Sequence, residues 1–238
     1  MAQYTISIII PVLNEARVIK QTLENLTQYS GIEIIVVDGG SQDETVAIAE
    51  QKRSLIAETS VKVITVIGKG RAGQMNAGAN LAQSDILLFL HGDSQLPSNF
   101  IDLVPQTLDQ NQTIAGAFEL AIDGSSRSLR WIEMLVRMRS RILSLPYGDQ
   151  GIFISKQAFI EAGGFADLPI MEDFEFIRRI KRRGRIAIAP AAVTTSDRRW
   201  QKLGVWQTTL INQLMLAGYF LGIPPTKLSR FYRSRGKY

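Results

Sequence analysis

Two stretches decide the fold: Leu87-Leu-Phe-Leu-His91-Gly-Asp93-Ser94 and Ile34-Ile-Val-Val-Asp38-Gly-Gly-Ser41. Each is a short apolar run that stops at a carboxylate with glycine beside it. Continuous apolar runs of this length read as strands buried on both faces, as in a parallel sheet. Each then delivers one aspartate to a strand's C-terminal end, the edge where open α/β sheets bind ligands. Two such strands point to an enzyme built around a phosphorylated, metal-bound substrate.

Outward from these strands, helical and strand patterns alternate. Residues 6–12 are continuous and β-branched, so they read as a buried strand. Residues 15–29 carry Val18, Ile19, Leu23 and Leu26 at helical spacing. Strands are expected at 32–37, 61–67 and 86–90. A helix capped by Asp43 is expected to run to about Ala57 with Leu55 on its apolar face, and a small-residue helix over 70–82. This rhythm predicts a mainly parallel sheet with right-handed crossovers. After Asp93 the order changes: a helix over 97–108, a strand over 114–122, and a long basic helix over 126–143. A loop (146–151), a short strand (152–154), a short helix to Ala162 and a helix over 172–183 follow. There is no internal repeat and no low-complexity linker, so two lobes sharing one sheet are expected.

Composition excludes several chemistries. Among 238 residues there is no cysteine, so disulfides and thiolate metal sites are ruled out. The single histidine, His91, excludes a multi-histidine zinc site. Charge is distributed unevenly. From Arg178 onward 14 Lys/Arg face one acid, giving +13 there, while the rest of the chain carries −8, which together make the net +5. A basic tail behind an acidic body suits an anionic partner or a solvated basic face. The N-terminal apolar run has no preceding basic residue and reads as a strand rather than a secretory signal. The late apolar segment 205–223 contains Gln207, Thr208, Thr209, Asn212 and Gln213, so it is too interrupted to span a bilayer.

Five polar clusters carry the chemistry. Pro11-Val-Leu-Asn14-Glu15 follows the first strand; Asn14 suits a helix cap or an amide contact to a base edge. Asp38-Gly39-Gly40-Ser41 brings a carboxylate suited to a uracil N–H or a ribose hydroxyl, with glycines that let a ligand approach the backbone. Lys69-Gly70-Arg71-Ala72-Gly73-Gln74 opens a helix with two cations, a composition suited to diphosphate. His91-Gly92-Asp93 places a carboxylate where diphosphate is expected, an arrangement that needs a bridging Mg²⁺ or Mn²⁺. Met171-Glu172-Asp173-Phe174-Glu175 is either an acidic first turn complementing a helix dipole or the seat of a general base.

Taken in order, Pro11-Val-Leu-Asn-Glu-Ala16, Val37-Asp-Gly-Gly-Ser-Gln-Asp43, Gly70-Arg-Ala-Gly-Gln-Met-Asn-Ala-Gly78, Leu90-His-Gly-Asp93, Gly148-Asp-Gln-Gly151 and Glu172-Asp173 resemble the family 2 glycosyltransferases of GT-A fold. The subgroup most similar is the bacterial "transferase 2, rSAM/selenodomain-associated" set. The resemblance implies a Rossmann-like, mostly parallel sheet flanked by helices, with a catalytic domain over 1–200 and a basic helical C-terminal extension over 201–238. It implies inverting transfer from a nucleotide-diphosphate sugar (UDP- or GDP-linked) to a hydroxyl, assisted by Mg²⁺ or Mn²⁺. Asp173 matches the base. Pro11, Asn14, Glu15, Asp38, Gly39, Arg71, Gln74, His91, Gly92 and Asp93 fall in the donor-binding motifs, and Arg198, Arg199 and Trp200 in a segment that closes over the diphosphate. Gln150 and Glu172 fall where the acceptor binds, and Asp93 and His91 where the metal binds. The sequence departs from the family pattern twice. His91 replaces the first carboxylate of the DxD motif, and Gly39 replaces a second acid after Asp38, leaving fewer carboxylates for metal.

The resemblance also implies a cytoplasmic enzyme working at the inner face of the membrane if its acceptor is lipid-linked. Residues 205–223 are expected either to lie in the membrane interface or to pack on the catalytic domain or a second subunit. Consecutive Tyr219, Phe220 and Leu221 favour packing. Two other readings are weaker. A sugar-phosphate nucleotidyltransferase needs a glycine-rich basic loop after the first strand, where Asn14-Glu15 stands. A degenerate protein binding membrane or nucleic acid through its basic tail lacks a groove-reading helix or an aromatic platform, and no nucleic-acid partner is expected.

Overall fold

A computed structural model describes residues 6–52 and 60–236. The first half of the chain is a β-α repeat: β1 (Ile6–Val12), α1 (Ala16–Leu26), β2 (Ile32–Asp38), α2 (Thr45–Gln51), β3 (Ser60–Thr65), α3 (Gly70–Leu81) and β4 (Ile86–Phe89). All four strands are parallel, with β1 between β2 and β4. The register pairs Val12 with Asp38 and Ile9 with Phe89, so the loops after β1, β2 and β4 emerge along one edge. The expected extension of α2 to Leu55 and Ala57 lies outside the described residues.

The second half contributes β5 (Ser94–Gln95), α4 (Phe100–Leu108), β6 (Thr113–Asp123), α5 (Arg127–Leu143), a 3-10 turn (Gly148–Gln150), β7 (Ile152–Ser155), α6 (Lys156–Glu161) and α7 (Glu172–Ile180). It ends with β8 (Arg185–Ser196), α8 (Arg198–Leu203), α9 (Val205–Phe220) and α10 (Pro225–Gly236). One eight-stranded sheet runs β3-β2-β1-β4-β7-β6-β8-β5. β7 is antiparallel to both β4 and β6, and β8 is parallel to β6. The sheet is therefore mixed, a refinement of the mainly parallel expectation.

Alternation along β1 explains why both faces are buried. Ile8 and Ile10 enter one core with Leu23, Val36 and Phe100, while Ile9 enters the other with Val37, Phe89 and Phe176. Replacing any of these by alanine removes a fully buried side chain, at about 2–5 kcal/mol. Helix α1 covers the first face with Ile19, Leu23 and Leu26 at helical spacing. Helix α3 covers the second and approaches closely: a Cβ at Gly78 would lie 2.5 Å from Ile9 Cγ2. Small residues in that helix thus set its distance from the sheet.

Strand β8, twelve residues long, was not anticipated. Its sequence, Arg-Ile-Ala-Ile-Ala-Pro-Ala-Ala-Val-Thr-Thr-Ser, is rich in alanine and contains Pro190, both poor strand signals. Pairing with β6, through two register shifts, overrides that local weakness. Two-residue β5 exists only because Ser94 and Gln95 meet Thr195 and Thr194.

Candidate active site

The loop after β1 and the loop after β2 are tied together before any ligand is considered. Asn14 takes a left-handed conformation (φ 55°), which asparagine tolerates better than most residues. Its backbone N–H donates to Ser41 Oγ, and its Oδ1 accepts from Gln42 N–H, each at 2.8 Å. The cap expected of Asn14 on α1 is not made, because Glu15 is the N-cap residue and no side chain caps it. Asp43 likewise does not sit at the N-cap of α2, which is Glu44, but accepts from the N–H groups of Thr45 and Ala16. Asp38 is buried, and its carboxylate accepts from the N–H groups of Gly40 (2.9 Å) and Ser41 (3.1 Å). It shapes the loop that was expected to expose it to a base.

Gln74 was expected on the donor. Instead its Nε2 donates to Val12 O (2.8 Å) and Val37 O (2.7 Å), clamping the ends of β1 and β2. Gly39 makes room for that clamp, since a Cβ there would meet Gln74 Nε2 at 3.1 Å.

Arg71, in the first turn of α3, is the hub of the site. It forms an ion pair with buried Glu172, lies 3.7 Å from Asp173 Oδ2, and contacts His91 Nε2 at 3.0 Å. A guanidinium only donates. His91 Nε2 must therefore accept, which leaves the ring neutral with its proton on Nδ1. Burial and the neighbouring Arg71 charge push the His91 pKa down to about 4, against the opposing pull of Asp93 and Asp173. Pro11, Arg71, His91, Gly148, Phe165 and Asp173 line one cleft.

Asp173 sits at the start of α7, reached through Met171 in a left-handed conformation (φ 67°). Its Oδ2 accepts from Gly148 N–H at 2.7 Å and its Oδ1 from Phe174 N–H at 2.8 Å. Burial pushes this carboxyl up, but Arg71 and the two N–H groups more than offset that, and its pKa lies below the ordinary value. A Cβ at 148 would stand 2.9 Å from Asp173 Oδ2 and 3.4 Å from His91 Nε2, so a side chain there would push the carboxylate from its place. Glu172, expected at the acceptor, is instead buried beneath Arg71.

On the open side of the site, Arg198 Nη2 lies 3.0 Å from both Glu15 Oε2 and Asp93 Oδ2. Two carboxylates from separate loops thus converge on one cationic nitrogen. Oxygen donors converging in this way fit a Mg²⁺ or Mn²⁺ ion that takes its remaining ligands from phosphate and water. His91 does not fit that role through Nε2, because the Arg71 guanidinium already occupies that nitrogen. Glu15, rather than His91 Nε2, is the group that stands with Asp93 on the open side. Among the described residues no group of three or more His, Asp or Glu could hold a metal. Burial raises the Glu15 pKa, and Asp93 and Asp43 add to that, while Arg198 opposes it.

Four further expected site residues are engaged elsewhere. Gln150 is fully buried: its Oε1 accepts from Arg139, Ser140 Oγ and Tyr147 N–H, and its Nε2 donates to Phe118 O. It braces the loop and is not available to an acceptor. Arg199 turns away from the site toward the C-terminal helices, bonding Asn212 Oδ1 (2.9 Å) and standing 4.8 Å over the Tyr232 ring. Trp200 packs against the first core. Gly92 is buried, where a Cβ would press on Val12 at 3.1 Å.

Tyr147, Arg139 and Asp149 carried no expectation. Arg139 lies 3.4 Å over the Tyr147 ring, beside the loop that presents Gly148 to Asp173. Asp149 Oδ1 is buried without a hydrogen-bond partner, and burial raises the Asp149 pKa. Only the Gly-Asp-Gln-Gly spelling hinted at this loop, and it did not say which side chains turn inward.

The family model for glycosyl transferase family 2 matches residues 7–166. An uncharacterized glycosyltransferase of Haemophilus influenzae is 30% identical over 189 residues, covering 74% of this chain and 61% of that protein. A PGL/p-HBAD biosynthesis glycosyltransferase of Mycobacterium bovis is 37% identical over 98 residues, 40% of this chain and 38% of that one. The chain thus spans less than two thirds of these relatives' lengths. Among solved structures, Staphylococcus aureus TarS 1–349 with UDP-GlcNAc superposes with a TM-score of 0.65 at 18% identity, covering 81% of this chain and 58% of that one. The mannosyltransferase PcManGT of Pyrobaculum calidifontis, solved with GDP-Man and Mn²⁺, gives 0.64 at 18% identity, covering 82% and 57%. The fold is that of the GT-A glycosyltransferases, and the chain belongs to glycosyl transferase family 2.

Proposed function

We propose that this chain transfers a sugar from a UDP- or GDP-sugar to a hydroxyl acceptor in a single in-line displacement that inverts the anomeric carbon. The observation that carries this reading is the Arg71 hub. One guanidinium contacts His91, two residues from Asp93, and also faces Asp173, so the donor motif and the Glu-Asp motif form one site. Asp173, held ionised, takes the proton of the acceptor hydroxyl as the new C–O bond forms and the bond to the leaving diphosphate breaks. Gly148 N–H and Arg71 keep that carboxylate aimed while the reaction proceeds. Arg198 exchanges Glu15 and Asp93 for the diphosphate, whose growing charge it then stabilises. Asp93 with Glu15 would hold Mg²⁺ or Mn²⁺, which when bound supplies further charge neutralisation to the leaving group.

Residues 1–200 form the catalytic unit in this reading, and 201–238 form an extension. No helix among the described residues is long and apolar enough to cross a membrane. Helix α9 keeps Trp206, Leu210, Leu214 and Phe220 exposed, while Thr208, Ile211, Met215 and Gly218 are buried. That two-sided helix supports a peripheral contact with the cytoplasmic membrane face, where a lipid-linked acceptor would be met.

Calorimetric titration of UDP and of GDP, each with Mn²⁺ and with EDTA, tests the donor class. Metal-dependent binding of one nucleotide is expected. Failure of both to bind overturns the reading.

A further inference from the structure

Helix α5 carries two apolar faces. Leu129 and Ile132 are buried against the sheet. On the opposite side Trp131 (61% exposed), Met134 (41%), Leu135 (53%), Met138 (50%) and Ile142 (70%) stand in solvent. At about 100° per residue these five fall within an arc of roughly 100°, one continuous stripe along the helix. A contiguous run of five large apolar side chains on one exposed helix face marks a contact surface, unlike apolar residues scattered singly.

The flank of the stripe is cationic. Arg130, Arg137 and Arg141 border it and Arg127 stands at its N-terminal end; all four are exposed, with Arg130 also bonded to Ile122 O and Gly124 O. Arg137 and Arg141 share a single carboxylate, Glu119, so that pairing leaves net positive charge. The only acid on α5, Glu133, turns inward, accepting from Ile122 N–H and pairing with Arg130.

We propose that α5 lies in the interface of an anionic bilayer, its apolar stripe among the upper acyl chains and its arginines on phosphate headgroups. This composition and sidedness are those of an interfacial helix. Charge complementarity selects the lipid over a second copy of the chain. An antiparallel two-fold contact of α5 with itself would bring one arginine-rich flank near another of the same sign. The inference extends the peripheral-membrane reading to a different helix and does not need the sugar transfer itself. It also gives the membrane a link to the site: Arg139, on the inner side of α5, donates to Leu145 O and Gln150 Oε1 in the loop that holds Gly148.

The test is co-sedimentation of the full chain with vesicles of equal parts phosphatidylcholine and phosphatidylglycerol, and with phosphatidylcholine alone. The expected result is binding to the anionic vesicles only. It should weaken as salt rises from about 0.1 M to about 1 M, where the screening length falls from about 10 Å to about 3 Å. The double variant Trp131→Ser/Leu135→Ser should lower the bound-to-free ratio at least about tenfold. Its folding is checked by an unchanged thermal melt, since both side chains are exposed. Arg127→Glu should weaken anionic binding separately. Full retention by the double variant overturns the inference. If Trp206→Ser/Leu210→Ser alone abolishes binding, the α5 assignment fails while the peripheral reading survives. No binding by the unmodified chain sinks both. Self-association in light scattering that the α5 variants abolish, without vesicle binding, would assign the stripe to a second copy and overturn the lipid.

Discussion

Arg71 Nη1 lies 3.0 Å from His91 Nε2, so the position that family motifs give to a metal-binding carboxylate is held here by a neutral imidazole facing a permanent cation. A charged histidine there would oppose Arg71. The ring therefore stays unprotonated well below the usual histidine range.

That depression has a definite sign for stability. Between about pH 6.5 and about pH 4 the unfolded chain binds the His91 proton and the folded chain does not. The contribution is thus complete above about pH 6.5 and is lost as pH falls toward 4. It amounts to at most about 3 kcal/mol. His91→Gln, which keeps an acceptor without a titrating group, should flatten the acid side of a denaturant-midpoint profile between these values. An unchanged slope would mean that His91 is not held neutral.

Asp173→Asn should lower turnover by roughly 10²–10⁴-fold while nucleotide affinity changes little. Parallel loss of binding and turnover, seen by titration calorimetry, would mean that Asp173 holds the donor and is not the base. Because Arg71 and two backbone N–H groups keep its carboxyl below the ordinary range, the acid loss of turnover through this base should come at lower pH than for an ordinary aspartate, as a pH–rate profile would show. Gly148→Ala pushes a methyl group against Asp173 Oδ2 and should cut turnover with the fold intact.

Arg198, Glu15 and Asp93 form a competition that binding can read. Asp93→Ala should lower Mn²⁺-dependent nucleotide affinity about tenfold or more, near 1.4 kcal/mol, and leave affinity in EDTA nearly constant. Glu15→Gln should weaken the metal-dependent part less. Arg198→Met should reduce nucleotide affinity with or without metal, since it removes a phosphate partner. Equal affinity of Asp93→Ala and the parent in Mn²⁺ would remove Asp93 from the metal site.

Gln150→Ala should act on stability. It strands buried Phe118 O and leaves Arg139, Ser140 and Tyr147 N–H without their shared acceptor, at about 2–4 kcal/mol in total. A lowered melting temperature with an unchanged acceptor KM is the expected pair of results. A raised KM at unchanged stability would restore the acceptor role.

How much of this was legible varies by element. β1, β2 and β4 announced themselves because strands buried on both faces are near-continuous apolar runs, and Ile6–Val12 is apolar at every position but Ser7. β8 did not, because alanine and proline carry no strand signal and β6 supplies the pairing. The site behaved similarly. Asp93 and Asp173 stood out as carboxylates at strand and helix ends. Nothing local separated Gln74 or Gln150, which clamp the backbone, from polar groups facing a ligand.

The sequence by itself determined the β-α order, the edge at which the loops gather and the family, because periodicity and motif order are properties of the chain alone. Only the tertiary structure decided which polar groups are already partnered. Asp38, Gln74, Gln150 and Glu172 are committed to backbone or to Arg71, while Asp93, Glu15 and Arg198 meet on the open side. The reason is geometric: a hydrogen bond between residues as distant as Arg71 and Glu172 depends on where the sheet and helices place two side chains. Spacing along the chain does not contain that information.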